Sequence, residues 1–434
     1  MPKTVQTEPA VHPHSPSPKA ASPSSHQSNS AVIPDVGILA LVPDQWHWQW
    51  QPRHQVMTRL ARYFPVLWMV PAEGWRHSLF QQKLLPTRDQ APIPGSDFLV
   101  HTPSPLLPHL HSPRSLADFT FRKRLQKAHR LLSARGCKKI VLYIWRPDFA
   151  DALDLLPAAL TCYHIDDEYS FSPVDTAISP QERKLIERVN HVFIHSPALL
   201  QKKGNINPHT SFAPNGVDFN DYGQPVPEPA DLRDIPHPRI GYSGRLKRQL
   251  DWRLLLDLSA RHTAWSFVLV GALNPHPDIL PFINELSART NVWFLGEKTT
   301  HELAAYPQHF DVAIMPYVND HYTKYIYPLK LHEYFAGGRP VVGTLIPSLE
   351  PFRGSLLLPE GAAQWSAAIA QSLGPEANTP QARAARQSLA KSHDWNVIVG
   401  RIAQTIADDL GLQYSAVVAR NLPASASTDA SLDS

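Results

Sequence analysis

The stretch that decides the fold is Asp311-Val-Ala-Ile-Met-Pro316, followed after a polar loop by Pro328-Leu-Lys-Leu-His-Glu-Tyr-Phe-Ala-Gly-Gly-Arg-Pro-Val-Val-Gly-Thr344. The apolar run that ends at Met315 predicts a buried strand. Pro328 suits the first position of a helix, and Gly337 with Gly338 ends that helix before a second apolar run. The stretch therefore predicts a strand, a loop, a helix and a second strand, which is the repeating unit of an α/β domain.

The predicted helix carries a cation and a carboxylate near its start. Lys330 and Glu333 are three residues apart, so they share one face. Beside the free N–H groups of a helix start, such a pair forms a site for a phosphate together with sugar hydroxyls. The pattern therefore predicts a nucleotide site, and a solvated ion pair on the helix surface is the alternative.

Length and composition set the broad class. The chain has 434 residues, enough for two or three domains, and its formal charge of +3 gives no general attraction to nucleic acid. Cys137 and Cys162 fit neither a disulfide framework nor a metal spacing, which favours a reducing compartment. The sequence shows neither an apolar signal core nor a run of about 18 apolar residues. We expect a soluble, cytoplasmic protein.

The two ends of the chain differ from its middle. Residues 1–33 are dominated by Pro, Ser, His and Ala, and residues 414–434 have a similar composition. Segments with so few large apolar side chains do not bury enough surface to offset the entropy of ordering. We therefore predict disordered N- and C-terminal tails.

Short Val-, Ile- and Leu-rich runs alternate with helical segments between the tails, which predicts parallel sheets covered on both faces. The proline-rich stretch 215–238 divides these runs into two groups. The predicted strands are 36–42, 66–70, 98–101, 140–145, 161–165 and 192–195 before it, and 239–243, 266–270, 292–295, 312–315, 340–342 and 356–358 after it.

This division predicts two Rossmann-like, doubly wound domains that face a cleft. We place the first domain at residues 34–218, the second at 219–395 and a terminal helix at 396–413. An apolar stripe at every fourth position of that helix predicts that one of its faces packs into a core. Ligands of such folds bind at the carboxyl ends of the strands, here in the cleft.

Five segments in series resemble the donor domain of GT-B glycosyltransferases of the retaining family 4 (group 1) type. They are Ile240-Gly-Tyr-Ser-Gly-Arg245, Phe267-Val-Leu-Val-Gly271, Asn291-Val-Trp-Phe-Leu-Gly296, Phe310-Asp-Val-Ala-Ile-Met-Pro-Tyr317 and the stretch from Pro328. Ala213-Pro-Asn-Gly-Val-Asp218 is similar to the family's passage between domains. The branch that the chain resembles includes teichuronic-acid and exopolysaccharide transferases. The resemblance implies that residues 34–218 form the acceptor domain and 219–395 the donor domain, and that the helix 396–413 packs back on the acceptor domain.

The resemblance implies a donor site. Glu333 matches the carboxylate that holds the ribose hydroxyls, while Lys330 and Arg245 match diphosphate-binding cations with catalytic roles. Gly244 allows the backbone to approach the ligand. Tyr325 stands where relatives carry a first Glu that contacts the donor sugar, so either Tyr325 or its neighbours Asp320 and Lys324 take over that role.

A second departure concerns a lysine that relatives carry five residues after Arg245. This chain has Leu250 there, which leaves Lys247 and Arg248 as local substitutes. The alternative is that both cations belong to a solvated loop.

The N-terminal half offers candidate acceptor groups. Asp166 and Asp167 follow a predicted strand, so they are expected in the cleft, Asp166 as a positioning group or weak base and Asp167 as an acceptor contact. Alternatively, these acids cap the next segment or pair with cations. Trp46 and Trp48 alternate with polar residues and are predicted to form an acceptor wall, unless they pack on loops of their own domain.

The segment 121–130 is basic and has helical periodicity. It either rests on an anionic membrane, since many relatives use lipid-linked acceptors, or forms a solvated helix face. The resemblance implies a nucleotide-sugar donor and a glycan or lipid-linked saccharide acceptor. It implies no cofactor, no metal site and no nucleic-acid partner.

We therefore predict a glycosyltransferase, retaining and metal-independent, that acts on a cell-envelope or exopolysaccharide acceptor at the inner face of the plasma membrane. Two other functions stay open. One is a different GT-B enzyme of the epimerase type, which needs a donor and no acceptor. The other is a catalytically silent GT-B scaffold that binds a glycan or a partner enzyme.

Overall fold

The structure, a computed structural model, describes residues 31–47, 50–72, 89–170 and 174–414. Two sheets organise this part of the chain, one of eight strands and one of five. Apart from the edge strands at residues 89–90, 210–212 and 292–296, their strands are almost entirely buried, as expected of apolar runs that are covered by helices on both faces. The α/β architecture with parallel sheets that the sequence predicts is present.

The N-terminal sheet has the order β3-β4-β2-β1-β5-β6-β7-β8 and is parallel except for β3. Its strands are β1 Val36–Leu41, β2 Val66–Met69, β3 Asp89–Gln90, β4 Phe98–His101, β5 Lys139–Ile144, β6 Leu160–Ile165, β7 His191–Ile194 and β8 Thr210–Phe212. The helices of this half are α1 Pro52–Leu60, α2 Arg114–Ser133, α3 Ala152–Leu155, α4 Pro180–Arg188 and α5 Pro197–Lys203.

The C-terminal sheet is parallel throughout, in the order β11-β10-β9-β12-β13. Its strands are β9 Arg239–Ser243, β10 Ser266–Val270, β11 Val292–Gly296, β12 Val312–Met315 and β13 Val341–Gly343. The helices are α6 Phe219–Gly223, α7 Trp252–Arg261, α8 Leu280–Ser287, α9 Thr300–Leu303, α10 His321–Tyr325, α11 Leu329–Ala336, α12 Gly361–Leu373, α13 Pro380–Ser392 and α14 Trp395–Asp409.

Helix α14 packs on the N-terminal half of the molecule. Ile398, Ile402 and Ile406 belong to the apolar core on one face of the N-terminal sheet, together with Met57 and Leu60 of α1. The chain thus returns from the second domain to cover the first. No helix among the described residues is long and apolar enough to cross a membrane.

Each sheet has a point where the strand order changes direction. In the C-terminal sheet, β10 and β11 lie on one side of β9 and β12 and β13 on the other. In the N-terminal sheet the change falls between β1 and β5. Crevices open at such points because the loops leave in opposite directions, so a ligand is expected just beyond Ser243 and Met315.

The structure differs from the sequence prediction in several elements. Residues 356–358 form one isolated bridge, Leu357 to Val342, since Pro359 has no N–H with which to extend the ladder. The edge strand β8 was missed because its residues Thr-Ser-Phe are mostly polar. Ala31, Val32 and Ile33 were assigned to the tail, yet they are buried. The backbone N–H of Ile33 donates to the Tyr63 carbonyl over 2.7 Å.

Candidate active site in the interdomain cleft

Two glycines bring backbone together at the switch point of the C-terminal sheet. Gly244 follows β9 with φ of +131°, and Gly271 follows β10 with φ of +139°. A Cβ on Gly271 would overlap the Gly244 carbonyl oxygen, and a Cβ on Gly244 would overlap the Lys330 ammonium. Only glycine fits at both positions, and it leaves the backbone next to Lys330 open to a ligand.

Helix α11 places Lys330 and Glu333 close to each other, with Lys330 beside Gly244. Its N-cap is Pro328 itself, so the helix begins one residue later than predicted. Lys330 Nζ lies 5.4 Å from the centroid of the Tyr242 ring. The carboxylate of Glu333 accepts a hydrogen bond from Tyr222, and burial raises its pKa despite the opposing effects of Lys330 and Tyr222. The predicted cation and carboxylate therefore stand together beside Gly244.

Lys247 is a third cation, close to Lys330 and Arg245. Burial, together with the charges of Lys330 and Arg245, lowers the pKa of Lys247 to about 8. Its ammonium lies 5.3 Å from the centroid of the Tyr322 ring. Arg245 is exposed, while Leu250 is buried. Arg245, Lys247 and Lys330 therefore form one cation cluster.

The structure separates Tyr325 from this cluster. Tyr325 is 3% exposed, and its hydroxyl donates to Asp175 Oδ2 over 2.8 Å. Lys324 Nζ also donates to Asp175, over 2.9 Å. Since Lys202 of α5 binds the other oxygen of the same carboxylate, Tyr325 belongs to a contact between the two domains.

The side chain of Asp320, the other candidate for sugar recognition, caps the start of the helix that contains Tyr325. The Asp320 carboxylate accepts from the Thr323 backbone N–H over 2.8 Å at the start of α10. The local sequence thus uses Asp320 to begin α10 and Tyr325 to attach its end to the opposite domain. Neither residue lies in the cation cluster.

Asp166, which directly follows β6, forms an ion pair with Arg53 of helix α1. Arg53 Nε lies 2.7 Å from Asp166 Oδ2, and the Asp166 side chain is 8% exposed. Arg53 also pairs with Asp44, and Tyr169 donates to Asp166. Burial, the largest single effect, raises the pKa of Asp166, but Arg53, the hydrogen bond from Tyr169 and the nearby histidines together hold the pKa below its usual value. Asp166 therefore takes the ion-paired alternative that the sequence left open.

Asp167 has a different environment. Burial and the neighbouring charge of Asp166 raise its pKa to about 6. It interacts electrostatically with Lys247 and Tyr322 of the C-terminal half, so it faces across the cleft. One of its oxygens accepts from the Glu168 N–H over 2.8 Å. A carboxylate with this pKa is suited to accept a proton near neutral pH.

The tryptophans after β1 divide between core and surface. The Trp46 ring lies 5.0 Å from Phe98 and 5.5 Å from Trp68 between centroids, so it packs on its own domain. Trp50 is 36% exposed and stacks on His54. Trp48, predicted as an acceptor contact, lies outside the described residues.

The buried histidines near the cleft are packing residues. His164 stacks on Trp145 with 4.2 Å between centroids, and its Nδ1 lies 2.8 Å from the Tyr143 hydroxyl oxygen. Burial lowers the pKa of His164 to about 3 and that of His195 to about 4. Within the described ranges, no three His, Cys, Asp or Glu side chains are grouped to hold a metal ion.

Two residues that matter here lie outside the motifs that predict a site from the sequence. Tyr222 lies in the stretch that was assigned to a linker, yet it contacts Glu333; the short segment Phe219-Asn-Asp-Tyr222 directly after Asp218 was the available signal. Asp175 joins the two domains from a loop, and no local pattern marks it.

Comparison with known proteins gives both a family match and a curated relative. Residues 237–374 match the family model described as glycosyl transferases group 1. Over 274 residues, the chain is 26% identical to the proposed teichuronic acid biosynthesis glycosyltransferase TuaH of Bacillus subtilis, covering 60% of this chain and 67% of that protein.

Solved structures share the overall architecture. A glycosyltransferase from Rickettsia africae superposes with a TM-score of 0.61 at 14% identity, covering 87% of this chain and 99% of that one. The α,α-trehalose 6-phosphate synthase of Burkholderia multivorans gives 0.58 at 13% identity, covering 90% and 99%. At such identities the similarity concerns the fold alone.

Proposed function

Because this chain is a nucleotide-sugar-dependent GT-B glycosyltransferase with a group 1 domain, we propose that it transfers a sugar to a cell-envelope or exopolysaccharide glycan. The observation that carries the proposal is the juxtaposition of Gly244, Lys330 and Glu333 at the switch point of the C-terminal sheet. The printed name of the relative TuaH, which refers to an envelope polymer, supports this class of acceptor.

The donor occupies the C-terminal side of the cleft in this proposal. Glu333 accepts hydrogen bonds from the vicinal ribose hydroxyls, and Tyr222 orients its carboxylate. The diphosphate lies against the Gly244 backbone and the cation cluster. Cations placed where the leaving group gains charge stabilise the bond-breaking step without rearrangement. The reaction we propose therefore relies on protein cations rather than on a metal. We assign it retention, so the acceptor oxygen bonds to the anomeric carbon on the same face from which the diphosphate leaves.

The acceptor occupies the N-terminal side. Asp167 hydrogen-bonds to the acceptor hydroxyl and takes up its proton, since its carboxylate faces the cation cluster and has a raised pKa. Asp166, paired with Arg53, positions this loop. We assign the acceptor to the lipid-linked class, which places the enzyme at the inner face of the plasma membrane.

A second function rests on position 325. Tyr325 stands where relatives carry a glutamate for the donor sugar, and it serves a contact between domains instead. A catalytically silent scaffold that binds a glycan or a partner enzyme is consistent with that change. Such a protein would bind no nucleotide, or would bind it without turnover.

Calorimetry with UDP, GDP, ADP and dTDP, without metal, tests the proposal. We expect one nucleotide to bind selectively, and Glu333→Ala to weaken that binding by about 1–3 kcal/mol, the scale of a lost charged hydrogen bond. Glu285→Ala is the matched control, because that carboxylate is 61% exposed on α8. No binding by the wild type would favour the scaffold, and an unchanged affinity in Glu333→Ala would remove Glu333 from the site.

A further inference from the structure

Large apolar side chains are exposed on the N-terminal domain at helix α2 and the turn before it. Leu106 is 80% exposed, Leu116 46% and Phe119 52%. A single exposed apolar residue is ordinary, but a cluster of them marks an interaction surface.

Cations continue the same face of α2. Lys123, Lys127 and Arg130 follow Leu116 and Phe119 at intervals of three and four residues, so these five side chains lie in one stripe. Lys123 Nζ lies 5.5 Å from the centroid of the Phe119 ring. Across the described residues, none of the three cations forms an ion pair, which leaves their charges available to a partner. We call Leu106 and these five residues the α2 face.

A groove of about 460 Å³ lies within this surface. It is lined by His101, Ser104, Leu107 and Phe119, and by four cations of α2: Lys123, Arg124, Lys127 and Arg130. Arg124 is 5% exposed and donates from its guanidinium to the Leu107 carbonyl over 2.9 Å, which holds the turn against α2. The Leu107 N–H donates to the Ser104 carbonyl over 2.9 Å. Leu106 is therefore displayed by a fixed turn.

The groove opens on the same edge of the sheet as the cleft. His101 ends β4 and Ile165 ends β6, both at the carboxyl edge, and four strand spacings separate them in the sheet order. At about 4.8 Å a strand, the lateral distance is about 19 Å. A flat partner at the α2 face would thus lie beside the acceptor side of the cleft.

We propose that the α2 face rests on an anionic lipid bilayer. Phosphate headgroups occupy the cationic groove, while Leu106, Leu116 and Phe119 enter the interfacial region of the bilayer. Apolar side chains combined with several cations are the two contributions that membrane-surface binding requires. This inference rests on the proposed function in one respect, since a lipid-linked acceptor would reach Asp167 from this side.

Sedimentation of the full-length protein with vesicles tests the charge contribution. We expect binding to phosphatidylglycerol vesicles and little binding to phosphatidylcholine vesicles. The double variant Lys123→Glu, Lys127→Glu should partition roughly 30-fold or more weakly, from about fivefold for each lysine removed. The control pair Lys138→Glu, Lys139→Glu makes the same charge change at the opposite edge of the sheet and should bind like the wild type.

The double variant Leu106→Ser, Phe119→Ser tests the apolar contribution, and it should lose the binding that persists at high salt. Equal binding of both vesicle types, or full binding by the Lys123, Lys127 variant, would overturn the proposal. Binding of inorganic phosphate that the charge variant abolishes, without vesicle binding, would make the groove a soluble-anion site and also overturn it.

Nucleotide affinity measured on the same preparations separates the two proposals. A protein that binds nucleotide but not vesicles contradicts only the membrane surface. A protein that binds vesicles but no nucleotide contradicts only the proposed function.

Discussion

At the scale of single residues, the proposed donor site has a cation at an unexpected sequence position. The resemblance to GT-B transferases implies a lysine at the position of Leu250, which is buried here. Lys247 instead joins Arg245 and Lys330 beside the switch point. We propose that Lys247 supplies the charge that the leaving group needs, because a diphosphate responds to charge and distance rather than to sequence position.

We predict that Lys247 makes nucleotide binding depend on pH. Because its pKa is about 8, it is charged at pH 7 and largely neutral at pH 9.5. A cation attracts the diphosphate only while protonated, so affinity should fall as pH rises through this range. Lys247→Met should bind the nucleotide roughly tenfold more weakly at pH 7, the scale of one charged hydrogen bond, and its affinity should change less with pH. Calorimetric titrations between pH 7 and 9.5 measure both affinities. An equal change of affinity with pH in the wild type and the variant would contradict this role of Lys247.

Asp167 gives a separate prediction for catalysis. A base acts when deprotonated, and the pKa of Asp167 is raised to about 6, so kcat should fall as pH drops below 6. Asp167→Asn should slow transfer by about 10²-fold or more, the usual scale for a general base, and remove the acidic limb. Its nucleotide affinity should stay near that of the wild type. A pH–rate profile that keeps its acidic limb in the variant would assign the titration to another group.

At the scale of elements, the contact between α10 and α5 joins the two domains. Asp175 accepts from Lys202 over 2.7 Å, from Lys324 over 2.9 Å and from Tyr325 over 2.8 Å. Helix α10 has only five residues, so it depends on such contacts more than on its own backbone hydrogen bonds. The loop after β12 is thereby attached to the N-terminal domain.

Replacing Asp175 should loosen α10 without unfolding either domain. The side chain of Asp175 is 45% exposed, so its ion pairs contribute little. We expect Asp175→Asn to lower the free energy of local opening of α10 by at most about 1 kcal/mol, which corresponds to at most about fivefold faster amide exchange in residues 321–325. Hydrogen exchange read by mass spectrometry measures this change. Asp154→Asn, which removes an ion pair with Arg188 inside the N-terminal domain, should leave α10 unaffected. Unchanged exchange in the Asp175 variant would show that other contacts hold α10.

At the scale of the whole molecule, α14 makes the last segment of the chain part of the first domain. Ile398, Ile402 and Ile406 lie on one side of the helix and enter the core that includes Leu60 of α1. The N-terminal sheet would expose this core without α14. The stability of the N-terminal domain therefore depends on residues that follow the C-terminal domain in the chain.

Shortening a side chain of α14 should destabilise the N-terminal domain. Ile402 is 2% exposed, so Ile402→Ala should cost about 2–4 kcal/mol through lost burial and a residual cavity. Val397→Ala is the control on the same helix, because Val397 is 39% exposed and its change should stay within about 0.5 kcal/mol. Urea unfolding followed by fluorescence compares the two; equal midpoints would mean that α14 adds little.

The sequence by itself determined the alternation of strands and helices, because buried parallel strands require near-continuous apolar runs. Strands β4, β9, β10 and β12 were predicted with their observed bounds. It also indicated Gly244, Lys330 and Glu333 as candidate site residues, since a glycine turn and a cation–carboxylate pair at a helix start are local patterns.

Only the tertiary structure decided which side chains share an environment. Asp166 and Asp167 are adjacent in sequence, yet Arg53 neutralises one while the other faces Lys247. Tyr325 belongs to a contact between domains because Asp175, far away in the chain, reaches it. Burial and charge depend on groups brought together by folding, so no local pattern specifies them.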